Sequence, residues 1–253
     1  MTTSRPLVAG NWKMHLTPSE GSSLATEILA RLPRHSAAEV LLLPPFTCLS
    51  AVGGVLAGDT RVGLGAQNCH WEPAGAVTGE ISAPMLAGLC QYVLVGHSER
   101  RQLFHETDSI VRAKLESVLR AGMSPILAVG ETGEERQAGL TRAVLLRQAK
   151  AGLVGLERAE VLRCTVAYEP VWAIGAGAAA EAAEITEAAI ILRSVIEEAA
   201  HGGAGGVRIL YGGSVTSQSA AQLLGAPGIA GALVGGASLR AADFCGIVAA
   251  TGR

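Results

Sequence analysis

The chain has 253 residues, of which 49% are hydrophobic and 17% are charged. This composition excludes an intrinsically disordered protein, and the length fits one large α/β domain, which we expect to span residues 1–253. The formal net charge of −2 offers no electrostatic footprint for nucleic acid and no basic surface for a membrane, so an anionic ligand must be held by local groups.

Eight short aliphatic runs recur along the chain, and a helical pattern follows each of them. The runs are nearly continuous in apolar character, which is typical of parallel strands that are buried on both faces. The predicted strands are Pro6–Gly10, Val40–Leu43, Val62–Ala66, Tyr92–Val95, Pro125–Val129, Thr165–Tyr168, Val207–Tyr211 and Gly231–Val234.

Helices are predicted between these runs because apolar residues recur there at helical spacing. Sets with this spacing are Leu24/Ile28/Leu32, Val111/Leu115/Val118 and Ile185/Ala189/Leu192/Ile196. The predicted helix starts are Thr107-Asp108 and Thr216-Ser217, and the predicted helix ends are Gly122 and Gly152. Shorter helices are predicted over Ala51–Leu56, Ala83–Leu89, Thr141–Ala151 and Ala241–Ala250.

The eight strand–helix alternations predict a single closed (β/α)8 barrel with eight parallel strands, and a doubly wound open sheet is the alternative. A barrel requires functional groups to follow the strands, because its active site lies at their C-terminal ends. The sequence meets this requirement with Asn11 and Lys13 after the first run, His97 and Glu99 after the fourth, Glu169 after the sixth, and glycine pairs after the seventh and eighth.

Five cysteines are scattered along the chain without a CxxC pair, which predicts reduced and mostly buried thiols. The first residues show no signal-peptide pattern. The longest apolar run, Ile81 to Gly96, is interrupted by Pro84 and Gln91 and is too short to span a bilayer. We therefore expect a cytoplasmic protein.

Glu169 ends the sixth predicted strand and precedes Pro170, which biases the backbone of Glu169 away from helical geometry. An apolar tip, Val171 to Ile174, and the segment Gly175-Ala176-Gly177 follow it. This pattern predicts a lid whose closure removes solvent from the carboxylate, raises its pKa and makes it a better proton acceptor. A surface loop with a solvated Glu169 is the alternative.

Two glycine-rich segments indicate a phosphate site. Gly212-Gly213-Ser214 and Gly235-Gly236 each precede a predicted helix, and backbone N–H groups at helix starts suit an anion. In barrels, the loops after the seventh and eighth strands often bind phosphate. Ordinary glycine turns are the alternative.

His97 lies in Gly96-His97-Ser98-Glu99-Arg100, where Ser98 is predicted to cap a helix whose N-terminus keeps the imidazole neutral. A neutral imidazole can donate a hydrogen bond to a carbonyl while Glu169 removes a proton from the adjacent carbon. Lys13, held by Glu99, would offset the negative charge of an enediolate and a phosphate. This set fits proton transfer beside the carbonyl of a small phosphorylated sugar, and a structural histidine is the alternative.

Two other enzyme classes fit the sequence poorly. The segment Gly175–Ala180 matches the G-x-G-x-x-G/A pattern of nicotinamide oxidoreductases, but it begins well after Tyr168, where the strand ends. The segment Gly96–Arg100 is similar to the nucleophile elbow of serine hydrolases, but Arg100 occupies the position of the final glycine. No metal-ligand spacing occurs, so we expect neither a metal nor a cofactor.

Seven motifs, which extend along most of the chain, carry a resemblance to one known family. They are Ala9–Met14, Gly65–Asn68, Thr78–Glu80, Gly96–Arg101, Ala167–Gly175, Tyr211–Val215 and Val234–Gly236. By these motifs the chain resembles the triosephosphate isomerase family. The resemblance implies a barrel enzyme that interconverts dihydroxyacetone phosphate and glyceraldehyde 3-phosphate without a cofactor.

The resemblance also implies roles for individual residues. Glu169 would be the base and His97 the electrophile, a pairing that is the known mechanism of this family. Asn11 and Lys13 would contact the substrate, and Glu99 would support Lys13. The phosphate would be bound by backbone groups of Gly175, Ser214, Gly235 and Gly236. The family is usually dimeric, with the loop from Gln67 to Glu80 reaching into the neighbouring subunit.

The chain departs from the family pattern at a few positions. Ala176 replaces the usual Thr, and Ala178-Ala179-Ala180 replaces the usual Lys-Thr-Ala. Val77 replaces a usual Phe, and Ala128 replaces a common Cys. These substitutions remove no chemical group from the implied mechanism. A relative that isomerises a four-carbon ketose phosphate on the same scaffold remains an open alternative.

Overall fold

The computed structural model describes residues 5–174 and 180–251. Eight parallel strands pair in chain order, and β1 pairs with both β2 and β8 to close the barrel. The strands are β1 (Leu7–Asn11), β2 (Glu39–Leu43), β3 (Val62–Ala66), β4 (Tyr92–Val95), β5 (Ser124–Val129), β6 (Thr165–Tyr168), β7 (Ile209–Tyr211) and β8 (Gly231–Val234). The predicted closed barrel is confirmed, and the open sheet is wrong.

Helices surround the barrel. They are α1 (Pro18–Arg31), α2 (Leu49–Leu56), α3 (Ala83–Leu86), α4 (Ser98–Leu103), α5 (Asp108–Arg120), α6 (Gly133–Gln137), α7 (Thr141–Leu153), α8 (Arg158–Val161), α9 (Ala182–Ala199), α10 (Ala220–Leu224) and α11 (Ala241–Ala250). Three short 3-10 helices lie at Phe46–Cys48, Val171–Ala173 and Gly236–Leu239. No helix in the described ranges combines the length and the apolar character that crossing a membrane requires.

Two predicted helix boundaries are confirmed and two are wrong. The Thr107 hydroxyl caps α5 by accepting from the Ile110 N–H, and Gly122 follows the end of α5 with a φ of +83°. Thr216 instead begins a turn, closed by reciprocal hydrogen bonds with Ser219, and α10 starts only after it.

Gly152 lies inside α7 and does not end it. A Cβ atom at this position would come within 2.5 Å of the Leu127 side chain, so glycine lets α7 pack closely on β5. The residue that follows the end of α7 with a positive φ is Gly155, at +82°. A packing glycine was therefore mistaken for a helix stop, because the sequence does not show which residue the glycine faces.

The strands are buried on both faces, as their continuous apolar character predicts. Alternate residues fill the barrel interior, and the residues between them pack beneath the helices. The interior cluster consists of Leu7, Ala9, Leu41, Leu43, Leu94, Ile126, Ala128, Ala167, Leu210 and Leu233. Glu169 is two residues beyond the interior residue Ala167, so the barrel itself directs this carboxylate to the top of its interior.

The lower end of the barrel is closed by a polar layer. Glu39 and Tyr92 alternate with interior residues of β2 and β4, and Arg208 precedes β7 in the same register. The Tyr92 hydroxyl donates to Glu39 at 2.7 Å, and Arg208 donates to both Glu39 and the Tyr92 oxygen. All five cysteines are unpaired, four of them buried and Cys245 partly so, which confirms the predicted thiols.

Candidate active site

The C-terminal ends of the strands gather the predicted site residues around one cavity of about 360 Å³. Those that line it are Asn11, Lys13, His97, Glu169, Ser214, Gly235 and Gly236. Glu99 does not line the cavity but accepts a hydrogen bond from the Lys13 ammonium group, and Gly175 lies outside the described residues. A larger cavity of about 560 Å³ lies on the other side of Glu169, but it lacks Lys13 and the glycine segments that suit an anion.

Lys13 is held in a strained backbone conformation beside Asn11. Its φ is +54°, in the left-handed region that side-chain-bearing residues rarely adopt. The Lys13 N–H donates to Asn11 Oδ1 at 3.0 Å, and its carbonyl accepts from Gln67 Nε2 at 2.9 Å. Its ammonium nitrogen lies 2.5 Å from Glu99 Oε1. These contacts fix a positive charge at the cavity wall, close to Gly235.

His97, rather than Ser98, is the N-cap residue of α4, so the predicted cap is displaced by one residue. The Glu99 N–H donates to His97 Nδ1 at 3.3 Å. Because Nδ1 accepts this hydrogen bond, the proton of a neutral imidazole belongs on Nε2, which lies 3.0 Å from Glu169 Oε1. The start of α4 therefore selects which tautomer a neutral imidazole adopts.

Both carboxylate oxygens of Glu169 are engaged by protein donors. Oε1 faces His97 Nε2, and Oε2 accepts from the Ser98 N–H at 2.8 Å. The side chain is 2% exposed. These two contacts hold the carboxylate in one orientation at the edge of the cavity.

The pKa values of this pair move in opposite directions. Burial raises the pKa of Glu169, but the adjacent His97, the Ser98 N–H and Lys13 outweigh it and leave the pKa lowered. Burial lowers the pKa of His97, but the Glu169 carboxylate outweighs it and raises the pKa. Desolvation acts on Glu169 as the sequence predicts, but the neighbouring groups outweigh it, and the raised pKa of His97 runs against the predicted neutral imidazole.

Gly130 fixes the backbone of Glu169 and was missed in the sequence. A Cβ atom at Gly130 would come within 1.7 Å of the Glu169 carbonyl oxygen, so only glycine fits there. The side chain of Gln148 bonds both backbone groups of Gly130, accepting from its N–H at 2.8 Å and donating to its carbonyl at 3.2 Å. Its position directly after the fifth strand was the available signal.

Glu131 is a second residue that was missed. It is fully buried, and its Oε1 accepts from the Tyr168 hydroxyl at 3.1 Å and from Trp172 Nε1 at 2.8 Å. Its Oε2 has no hydrogen-bond partner in the part of the chain that the structure describes. The sequence offered no sign of this role, because Glu131 is an ordinary acidic residue in a turn until β5 and β6 lie side by side.

The two glycine segments lie at the cavity, but only one directly precedes a helix. Gly236 begins the 3-10 helix Gly236–Leu239, whereas Ser214 is separated from α10 by several residues. A Cβ atom at Gly236 would meet nothing within 4 Å, so its backbone is open to a ligand. The backbone of Ser214 must therefore act without a helix start directly behind it.

No group of three or more metal-ligating side chains capable of holding an ion occurs within residues 5–174 and 180–251. Comparison with known proteins decides the family. A family model described as triosephosphate isomerase matches residues 6–251. The chain belongs to the triosephosphate isomerase family.

Individual triosephosphate isomerases are similar to the chain over nearly its whole length. The protein of that name from Moorella thermoacetica is 48% identical over 245 residues, which are 96% of this chain and 98% of the relative. The one from Symbiobacterium thermophilum is 49% identical over 247 residues, 97% of this chain and 96% of the relative. A crystal structure of triosephosphate isomerase from Bartonella henselae has a TM-score of 0.88 and 38% identity, covering 98% of this chain and all of that one.

Membership in the triosephosphate isomerase family makes the chain an intramolecular isomerase, and it supports neither the oxidoreductase nor the hydrolase. Three of the residues at which the chain was compared with the family pattern can be placed. Ala128 lies in the barrel interior, and Val77 is 39% exposed. Ala180 is buried, and its N–H donates to the Tyr211 hydroxyl at 3.1 Å. Ala176, Ala178 and Ala179 lie outside the described residues.

Proposed function

We propose that the chain interconverts dihydroxyacetone phosphate and D-glyceraldehyde 3-phosphate through an enediolate, in glycolysis and gluconeogenesis. One observation carries this proposal: a single cavity joins a buried carboxylate, an imidazole whose Nε2 faces that carboxylate, a lysine and glycine backbone suited to phosphate. The names of the relatives agree with it.

Glu169 acts as the base. It removes a proton from the carbon next to the carbonyl, and an enediolate forms. A proton passes from the substrate hydroxyl to the former carbonyl oxygen, and Glu169 returns its own proton to the former carbonyl carbon. To do this, the Glu169 side chain turns toward the substrate from the orientation that Ser98 and His97 give it.

His97 donates its Nε2 proton as a hydrogen bond to the substrate oxygens. Burial lowers the pKa of His97, but the Glu169 carboxylate outweighs it and leaves the pKa raised. When that carboxylate turns to the substrate, burial and the start of α4 favour the neutral imidazole. Asn11 and Lys13 contact the substrate, and the Lys13 charge stabilises the enediolate and the phosphate. Glu99 holds Lys13 in place.

The phosphate binds to backbone groups of Ser214, Gly235 and Gly236, together with Gly175. Two observations support this placement. A Cβ atom at Gly236 would have open space around it, and a Cβ atom at Gly235 would lie 3.5 Å from Lys13 Cε. No metal or cofactor enters this proposal.

A coupled isomerase assay with three- and four-carbon ketose phosphates side by side tests the proposal. We expect efficient turnover of the triose phosphates and a kcat lowered roughly 100-fold in Glu169→Asp, since a base displaced by about 1 Å is severely impaired. A Glu187→Asp variant on the exposed surface of α9 is the matched control. Absence of triose turnover contradicts the proposal, and equal turnover of the four-carbon substrate contradicts its specificity.

We also propose a homodimer. Apolar side chains that are unusually exposed for a monomer lie around a cavity of about 510 Å³ beside Lys13. They are Met14, Phe46, Leu103 and Phe104. Residues 72–80 of the loop from Gln67 to Glu80 are all exposed, so the loop of one subunit can occupy this cavity in the other, near Asn11 and Lys13.

The double variant Thr78→Arg with Glu80→Arg tests the dimer. Placing two positive charges in this loop should yield monomers of much lower activity, measured by light scattering and by the isomerase assay. Glu187→Arg, at an exposed position of α9, is the control for the Glu80→Arg part of the change in charge. Fully active monomers contradict the dimer proposal.

We also propose a domain organisation and a cellular location. Residues 1–253 act as one catalytic barrel, and the protein works in the cytoplasm. Support for the location comes from the five unpaired cysteines. Support for the single unit comes from the closure of all eight strands into one barrel.

A further inference from the structure

Arg136 on α6 contacts the segment that follows Glu169 on one side and the first turn of α9 on the other. Its guanidinium carbon lies 3.9 Å from the centre of the Trp172 ring. The same guanidinium forms an ion pair with Glu184. Nothing in the proposed mechanism uses Arg136, although it joins the two elements that flank residues 175–179.

Trp172 is closely tied to Glu169. It lies in the 3-10 helix Val171–Ala173, which begins two residues after the base. The Val171 N–H donates to the Glu131 carbonyl at 3.1 Å, and Trp172 Nε1 donates to the Glu131 carboxylate. The segment from Glu131 to Arg136 therefore holds the turn that carries Glu169, and Arg136 covers the outer face of its indole ring.

Glu184 in turn holds Arg136. It is the third residue of α9, and its second carboxylate oxygen accepts from the Glu181 N–H at 2.9 Å to cap that helix. The capping contact orients the carboxylate, so the guanidinium is placed between a fixed acid and a fixed ring. The Arg136–Glu184 pair is therefore a charged attachment between α6 and the start of α9.

We propose that Arg136 is a positioning residue that sets the orientation of Glu169 through Trp172, and that Glu184 holds Arg136 for this purpose. The inference rests on the proposed role of Glu169 as the base. Each contact of Arg136 is partly exposed and individually weak, so its loss changes the placement of the turn more than the stability of the barrel. The contacts of Arg136 are with Trp172 and Glu184, so we expect the glycine segments after β7 and β8 to keep their geometry.

The test compares Arg136→Met, which keeps the aliphatic stem, with Arg142→Met, which removes the same charge from an exposed position on α7. We expect Arg136→Met to lower kcat about tenfold, because partial misplacement of a base is costly. The KM and the inhibition constant of inorganic phosphate should change by less than about twofold, since ground-state binding is retained. Arg136→Lys should recover part of the loss, and Arg142→Met should match wild type.

A spectroscopic measurement follows Trp172 directly. The protein contains three tryptophans, so 5-fluorotryptophan labelling gives three ¹⁹F resonances, and the Trp172→Phe variant assigns the relevant one. We expect this resonance to move in Arg136→Met and not in Arg142→Met. Glu184→Gln, which retains the helix cap, should shift it in the same direction and add nothing in the Arg136→Met background.

Three results would overturn the inference. They are an unmoved Trp172 resonance in Arg136→Met, an unchanged kcat with only a lower melting temperature, or strictly additive effects of Arg136→Met and Glu184→Gln. If wild type fails to turn over triose phosphates, the proposed function fails by itself. The ¹⁹F comparison still decides whether Arg136 places Trp172.

Discussion

The chemistry at Glu169 depends on a balance between burial and hydrogen bonding. A buried carboxylate without donors would hold a proton at neutral pH, whereas this one is kept ionised by His97, the Ser98 N–H and Lys13. The same contacts fix the orientation of the carboxylate. The proposed role of Glu169 as the base therefore requires the side chain to turn from this orientation toward the substrate.

This balance predicts the pH dependence of kcat/KM. A lowered pKa keeps Glu169 ionised above its usual value of 4.5, so the acid limb due to this group should lie below pH 4.5 and activity should fall as pH decreases through it. The substrate phosphate titrates near pH ~6, and the profile must be corrected for it. His97→Gln removes the group that lowers the pKa of Glu169 most. The acid limb of the residual activity should therefore lie at higher pH in this variant than in wild type. A corrected wild-type limb above pH 4.5, or no shift in the variant, contradicts this account.

A prediction at Gly130 tests how the base is held. Gly130→Ala places a Cβ atom 1.7 Å from the Glu169 carbonyl oxygen, so the main chain of Glu169 must move. We expect kcat to fall ~100-fold in protein that still folds, as judged by circular dichroism. Gly133→Ala is the matched control, because its Cβ meets Trp172 only at an ordinary distance of 3.6 Å. Full activity of Gly130→Ala would show that Glu169 tolerates this displacement.

At the scale of elements, close packing of a helix on its strand determines where glycine is required. Gly152 in α7 faces Leu127 of β5, whereas Gly54 in α2 has open space where its Cβ would be. Both lie inside helices, where glycine costs conformational entropy relative to alanine. The same substitution should therefore have opposite effects at the two sites.

Gly152→Ala should lower the free energy of unfolding by about 1–2 kcal/mol, because overpacking against Leu127 exceeds the gain in helix propensity. Gly54→Ala should raise it by ~0.5–1 kcal/mol through propensity alone. Urea denaturation at one fixed protein concentration measures both, since association would otherwise change the apparent stability. Equal changes at the two positions contradict the packing explanation for Gly152.

At the scale of the whole molecule, the barrel carries its chemistry at one end and a polar closure at the other. The closure joins three strands through Glu39, Tyr92 and Arg208, which are far apart in the chain. Burial raises the pKa of Glu39, but Tyr92 and Arg208 outweigh it and lower the pKa below the usual 4.5. The layer therefore stabilises the barrel when the Glu39 carboxylate is ionised.

The pH dependence of stability tests this layer. A lowered folded-state pKa gives stability that is present above the unfolded-state value of 4.5 and is lost as pH falls through the folded-state pKa. Glu39→Gln should thus lower the free energy of unfolding by ~1–3 kcal/mol at neutral pH, with the difference narrowing below pH 4.5. Glu187→Gln on the surface of α9 is the control. A difference that is independent of pH would show that the Glu39 charge contributes nothing.

Local regularities in the sequence were sufficient for the barrel and for most of the candidate site. Strands buried on both faces have continuous apolar runs, so β3, β4, β6 and β8 could be bounded to the residue, and the functional groups were found because they follow such runs. The motifs added the family. Helix ends were less certain, because a glycine or a serine has the same local appearance whether it stops, caps or packs.

Only the tertiary structure determined the surroundings of these groups. Several contacts depend on neighbouring strands. His97 caps α4, both Glu169 oxygens accept hydrogen bonds, and Glu131 is buried and bonded to Trp172. Gly130 lies against the Glu169 backbone. Glu39 and Arg208 form one layer although 169 positions separate them. Composition and spacing along a chain describe what each residue can do, but the closure of the barrel decides which residue it meets.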